Sequence, residues 1–301
     1  MGAVTFRKYL RVLILGYLSL LVASIAAAQQ APATQEDAWD AARRVAKQGP
    51  QDIPLADQAV LKLPEGRVFI PQPEATKLLN AMGNPGEDPR LQGLIFPTGS
   101  DDGWFMSLRY ESSGFIKDDD AKDWDADELL DTFKQGTEAS NQERVKLGVP
   151  EMEILGWAEK PVYDATSHRL AWAMKSRDKG NANDANLGVN YNTYVLGRDG
   201  YFSMNLVTDL ASLPAHKPHA HAVLEGLNYT DGKRYADFNS STDRVAEYGL
   251  AALVVGVGAK KLGLFAVIAA FALKFAKLGL LALVPIGLGL KRLFGRKSTT
   301  S

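Results

Sequence analysis

The sequence predicts an α+β domain, an antiparallel sheet built of hairpins with helices packed on one face, set between an N-terminal signal peptide and a C-terminal membrane helix or helices. Three observations predict it. All 35 Asp and Glu residues lie between Glu36 and Glu247, so an acidic body is flanked by apolar, basic ends. Within the body, alternating apolar and polar runs are broken by Gly-, Pro- and Asp-rich turns, and hairpins followed by a helix occur twice. The chain has no cysteine, which excludes a disulfide framework and a lipoprotein anchor and leaves the core alone to hold the domain.

The N-terminus reads as a secretory signal. Arg7, Lys8 and Arg11 form a basic region, Val12 to Ile25 an apolar region, and Ala26-Ala27-Ala28 a small-residue cleavage site, so the mature chain is expected to start at Gln29. An uncleaved anchor is the alternative. It is disfavoured because the apolar run falls short of the roughly 17 residues a span needs and meets the cleavage site at once.

In the body, assigned to 29–248, Thr34-Gln35-Glu36-Asp37 caps a helix that runs to Gly49-Pro50. Strands follow over 58–63 and 67–70, joined by Pro64-Glu65-Gly66, and then a helix with Pro73 in its first turn that ends near Gly83. A strand pair over 91–96 and 104–110 leads to a long helix over 125–147. Two short strands at 162–163 and 169–174 flank Asp164-Ala165-Thr166-Ser167. The clearest hairpin pairs 189–196 with 201–207 across Gly197-Arg198-Asp199-Gly200, and its alternation leaves Tyr201, Ser203 and Asn205 on a wet face. A helix over 210–224 and a strand at 227–229 complete the pattern, which divides into two possible lobes, 34–148 and 149–248.

Beyond the body, 249–290 is apolar apart from Lys260, Lys261, Lys274 and Lys277, and 291–301 is a basic tail. No lysine-free piece reaches the roughly 20 residues of a spanning helix, so a crossing must carry lysines inside it. The preferred crossing, 249–273, leaves the basic tail cytoplasmic and the body outside, as the positive-inside rule asks. A hairpin that returns over 278–290 is the alternative. Ala252, Gly256, Ala259 and Gly263 recur about every four positions and suit close packing in a homo-oligomer that shelters Lys260 and Lys261. The expected location is a bacterial inner membrane with the body periplasmic and the bilayer as first partner.

The body holds 23 basic groups against 35 acids, a net of −12 that the near-neutral total conceals. Such a body repels phosphate backbones, so no nucleic acid partner is expected. The chain has no Gly-x-Ser-x-Gly elbow, Walker loop or His-Glu-x-x-His helix, and no cofactor or catalytic set is assigned.

Asp118 to Asp120 with Asp123, Asp125 and Asp127 resemble a calcium loop, but Glu128 and Lys134 occupy the positions of the glycine and the bidentate glutamate; an acidic helix lead-in is the competing reading. His216, His219 and His221 could share zinc or copper, but a solvated helix or loop is the preferred reading and no metal site is assigned. Trp157, Tyr163, Asp164, Asn190, Asn192, Arg198, Tyr235 and Asp237 read first as structural hydrogen-bonders at strand ends, with a binding groove for a peptide or glycan as the alternative.

Gly156-Trp157, Pro161-x-Tyr163-Asp164, Leu170-x-Trp172, Asn190-Tyr191-Asn192, Leu196-Gly197-Arg198, Gly232 to Phe238, Thr242-Asp243 and Tyr248-Gly249 carry a resemblance, as do Leu63-Pro64-x-Gly66 and Met82-Gly83-Asn84-Pro85. The chain resembles the bacterial domain of unknown function 2167 family, uncharacterised membrane-anchored proteins. The resemblance spans almost the whole mature chain and implies an envelope location, but brings no reaction or catalytic residues. Two functions stay open: a non-enzymatic module binding an envelope protein or polymer, and an envelope hydrolase using carboxylates such as Asp164 and Asp237.

Overall fold

The computed structural model describes residues 35–99, 103–122, 124–181 and 187–255. The expected signal peptide, Asp123, most of the apolar segment with Gly256, Ala259, Lys260, Lys261 and Gly263, and the basic tail lie outside them. Among the described residues no helix is long and apolar enough to cross a membrane.

Five helices and eleven strands follow in order: α1 (Gln35–Val45), β1 (Lys47–Gln48), β2 (Gln51–Leu55), β3 (Ala59–Leu63), β4 (Arg67–Pro71), α2 (Glu74–Ala81), β5 (Leu91–Pro97), β6 (Phe105–Glu111), α3 (Ala126–Lys146), β7 (Met152–Asp164), β8 (Arg169–Asp178), β9 (Gly188–Leu196), β10 (Tyr201–Asp209), α4 (Leu213–Gly226), β11 (Leu227–Tyr229) and α5 (Leu250–Val254). Eight strands form one antiparallel sheet in the order β1-β4-β5-β6-β10-β9-β8-β7, and a small sheet has the order β11-β3-β2. The α+β class and the antiparallel sheet are as the sequence predicts. One sheet runs through both halves of the body, because β6 pairs with β10.

Two expectations are corrected. Helices cover both faces of the large sheet, not one. On the first face, α4 and the small sheet bury Met106, Leu108, Phe202, Met204 and Leu206 with Leu61, Ala220 and Val223. On the second face, α1 and α2 pack on Ile70 and Leu94, while α3 and α5 pack on Leu170, Trp172 and Met174. The strands flanking Pro64-Glu65-Gly66 are also not partners: β3 joins the small sheet and β4 the large one. Their burial gives the reason. In β3 only alternate residues Ala59, Leu61 and Leu63 are buried, as suits a one-sided strand, whereas β4 buries the consecutive Phe69 and Ile70 on opposite faces of a covered sheet.

The apolar segment starts inside the body. Leu250, Leu253 and Val254 are buried in the α3 cluster, and both Asp120 oxygens accept hydrogen bonds at 3.0 Å, from the amides of Leu250 and Ala251. That carboxylate supplies the N-terminal partners that α5 otherwise lacks. A crossing that begins at Gly249 therefore overlaps residues already used by the core.

Candidate functional site

Cross-strand register places three rows of residues side by side on the second face. From β6 through β10 and β9 to β8 they read Arg109-Ser203-Tyr194-Leu170, Ser107-Asn205-Asn192-Trp172, and Phe105-Val207-Asn190-Met174. Directly opposed residues share a face, so β6, β10 and β9 present a mostly polar strip. It separates two apolar clusters, one under α1 and α2 and one under α3 and α5. Most of the strip is half-buried, and Ser107 is fully buried.

The middle row places two unsatisfied polar atoms near each other, of a kind that Trp104 and Tyr110 also carry elsewhere among the described residues. Asn205 Oδ1 and Trp172 Nε1 are buried without a hydrogen-bond partner among the described residues, on either side of Asn192, whose Nδ2 donates to the Asn190 carbonyl at 3.1 Å. Buried polar atoms are normally satisfied, because each lost hydrogen bond costs roughly 1 to 3 kcal/mol. An acceptor and a donor kept unsatisfied one residue apart favour a surface that is completed by something else.

Arginines gather at the Arg109 end. Arg90 donates to Asp88 through Nε at 2.7 Å and a terminal nitrogen at 3.0 Å, and Arg109 Nε donates to the same carboxylate at 2.9 Å. Burial alone would raise the Asp88 carboxyl; the hydrogen bonds from Arg90 and Arg109 outweigh it and hold it at about 2. Beside this network opens a cleft of about 280 Å³, lined by Leu79 of α2, the 83–88 loop, Arg109 of the strip, and Arg144, Leu147 and Val149 at the end of α3.

Of the residues singled out in the sequence, the structure brings Asn190 and Asn192 into the strip, gathers Tyr163 and Tyr235 about Asp118 and His168, and gives the others contacts of their own. Trp157 Nε1 donates to the Ala126 carbonyl at 3.0 Å and fixes the start of α3. Tyr163 donates to Asp118 at 2.8 Å and lies 3.1 Å from His168 Nδ1; its burial, with the Asp118 charge beside it, raises the phenol's pKa. Tyr235 stacks between His168 and Phe115 and donates to the Ile116 carbonyl at 2.8 Å. Arg198 grips Asp243 through two bonds of 2.7 and 2.8 Å, joining the β9–β10 turn to the segment before α5. Asp237 accepts from the Arg234 amide at 2.9 Å and closes a turn.

Asp164 likewise serves its own turn, accepting from the Ser167 hydroxyl at 2.6 Å and the Thr166 amide at 2.9 Å. These bonds lower its pKa, the opposite of what a proton-donating glycosidase acid needs.

The His216 and His219 rings lie 6.4 Å apart beside Trp104, but each metal candidate has a bond partner of its own. His216 Nδ1 bonds Thr208, His219 Nδ1 bonds Arg67 while its ring stacks on Trp104, and His221 Nε2 bonds Tyr191. No group of three metal-ligating side chains gathers among the described residues. The resemblance to a calcium loop dissolves in the same way, since Asp118 receives Tyr163, Asp120 caps α5 and Asp125 caps α3.

The family described as "Protein of unknown function (DUF2167)" matches residues 47–287. The chain belongs to this family. The DUF2167 residues thus divide between a structural end, where Tyr163, Arg198, Tyr235 and Gly249 lock turns together, and the strip and cleft, where Asn190, Asn192, Gly83, Asn84 and Pro85 lie.

No curated protein matches. Among solved structures, cyanobacterial PsbP (CyanoP) from Synechocystis sp. PCC 6803 is 11% identical with a TM-score of 0.37, over 60% of this chain and 92% of its own. The Saccharomyces cerevisiae Ran-binding protein Mog1p is 12% identical with a TM-score of 0.32, over 63% and 98%. The Pseudomonas aeruginosa protein of unknown function PA94 is 11% identical with a TM-score of 0.22, over 58% and 93%. Likenesses this distant carry no argument about function.

Proposed function

We propose that this DUF2167 protein is a non-enzymatic, membrane-anchored binding module of the bacterial envelope, whose polar strip receives an extended protein or polymer partner. The observation that carries the reading is the strip itself: amides and hydroxyls held between two apolar clusters, with Asn205 Oδ1 in the strip and Trp172 Nε1 at its border buried without a partner among the described residues. A small number of placed polar groups is what fixes a ligand's orientation. The two carboxylates proposed for hydrolysis each close their own turn, which favours binding over catalysis.

The anchor belongs to the same proposal. With Leu250 to Val254 held by the body, 255–273 is left to cross, close to the roughly 20 residues a span needs, and the body sits directly at the bilayer surface.

The test is site-specific photocrosslinking in intact cells, with a benzophenone side chain at Asn192 and, as control, at Lys62 on the small sheet. A discrete adduct from Asn192 that is missing from Lys62 and lost with Arg109→Gln supports the reading. No adduct from Asn192, together with turnover of an envelope polymer by the purified full chain, would overturn it.

A further inference from the structure

Resting on that binding reading and naming the chemistry of its ligand, we propose that the cleft beside the strip seats the terminal carboxylate of an apolar chain segment between Arg109 and Arg144. Arg109 rises from the sheet, Arg144 from the end of α3, and both line the one cavity of about 280 Å³. Neither guanidinium is fully used. Arg109 gives Nε to Asp88 and a terminal nitrogen to Ser107. Arg144 gives Nε to the Pro150 carbonyl at 2.7 Å, a bond that orients the side chain and leaves its two terminal nitrogens without a partner among the described residues. A planar guanidinium fork matches a carboxylate and gains most from charge-assisted bonds in a partly enclosed site.

The charge balance selects the kind of anion. Glu87 and Asp88 line the same cleft, so its four charged side chains sum to zero before the ligand arrives. One added negative charge can be placed against the two arginines. A phosphate dianion would meet Glu87 and Asp88 at close range and the field of a body with 35 acids against 23 basic groups. Size and polarity point the same way. Leu79 and Leu147 also line the cleft, and Leu147 is 52% exposed, which leaves an apolar wall for the chain segment to cover. A volume just under the roughly 300 to 1,000 Å³ of whole-ligand pockets fits a chain end, with the rest of the segment running along the strip.

The test uses the full chain in nanodiscs and two probes, acetyl-Ala-Leu-Leu with a free C-terminal carboxylate and the same peptide as its C-terminal amide, with inorganic phosphate as competitor. The free acid is expected to bind at least about tenfold tighter than the amide, the worth of one charge-assisted pair. Arg144→Gln should erase that difference without changing the unfolding temperature, since among the described residues the side chain's only bond is to a loop carbonyl. Phosphate should not displace the acid. Equal binding of acid and amide, displacement by phosphate at similar concentration, or binding of neither probe overturns the carboxylate assignment. None of these results touches the Asn192 adduct, whose loss would instead strike the binding reading.

Discussion

Asp120 and Gly249 fix where the body ends. A Cβ on Gly249 would stand 2.5 Å from an Asp120 oxygen, so the carboxylate reaches the α5 amides only because the residue before them has no side chain. Gly249→Ala is expected to cost about 1 to 3 kcal/mol through this overlap, read as a lowered unfolding temperature of the full chain in detergent. Asp88 offers a second test with a defined sign. Its folded pKa of about 2 lies below the ordinary 3.8, so its stabilisation is complete above about pH 4 and is lost as the pH falls toward 2. Asp88→Asn should lower stability at neutral pH by at most about 2 kcal/mol and flatten that acid-induced loss, both measurable by denaturant titration. The sequence displays these aspartates plainly but not their uses. The run from Asp118 reads as a helix lead-in or a cation loop because its partners, Tyr163 and Leu250, lie 45 and 130 residues away.

Among the elements, those with local signals were legible and those defined by distant partners were not. Helix α3 is announced by its acidic start and held by Asp125, which accepts from the amides of Asp127 and Glu128. The β9–β10 hairpin follows from strict alternation around its Gly-Arg-Asp-Gly turn, where a Cβ on Gly200 would lie 1.9 Å from the Glu111 carbonyl. Strand β7 was largely invisible: Gly156, Lys160 and Pro161 break its pattern, and three register irregularities spread its 13 residues along β8. The same interruptions suit an edge strand, which must avoid pairing with other chains. Asn141, buried on α3, covers that edge by accepting from the Met152 amide at 2.8 Å and donating to its carbonyl at 2.9 Å. Asn141→Leu leaves both backbone groups unpaired and is expected to cost about 2 to 4 kcal/mol, with faster hydrogen exchange at the Met152 amide as the local signature.

For the whole molecule, composition foretold an acidic body between apolar ends, and hairpin spacing foretold the antiparallel sheet. Helices on both faces were not readable from β9 and β10, because the polar strip makes these strands alternate as strands with one wet face do. The site was half legible. Asn190 and Asn192 were read directly, whereas Asp88, Arg109 and Arg144 belong to no motif and meet only through register and the return of α3. Topology can be tested without background, since the chain has no cysteine. Lys62→Cys should react with an impermeant maleimide in spheroplasts and Ser301→Cys only after permeabilisation; equal labelling would contradict a single crossing. The claim that the strip is kept for binding rather than for stability is tested most directly by the unfolding temperature of Asn205→Leu in the full chain. Because Asn205 Oδ1 is buried without a partner, leucine should leave that temperature unchanged or raise it while the Asn192 adduct disappears. A fall of about 4 °C or more, equivalent to over about 1 kcal/mol, would show that the strip serves the fold and contradict the account.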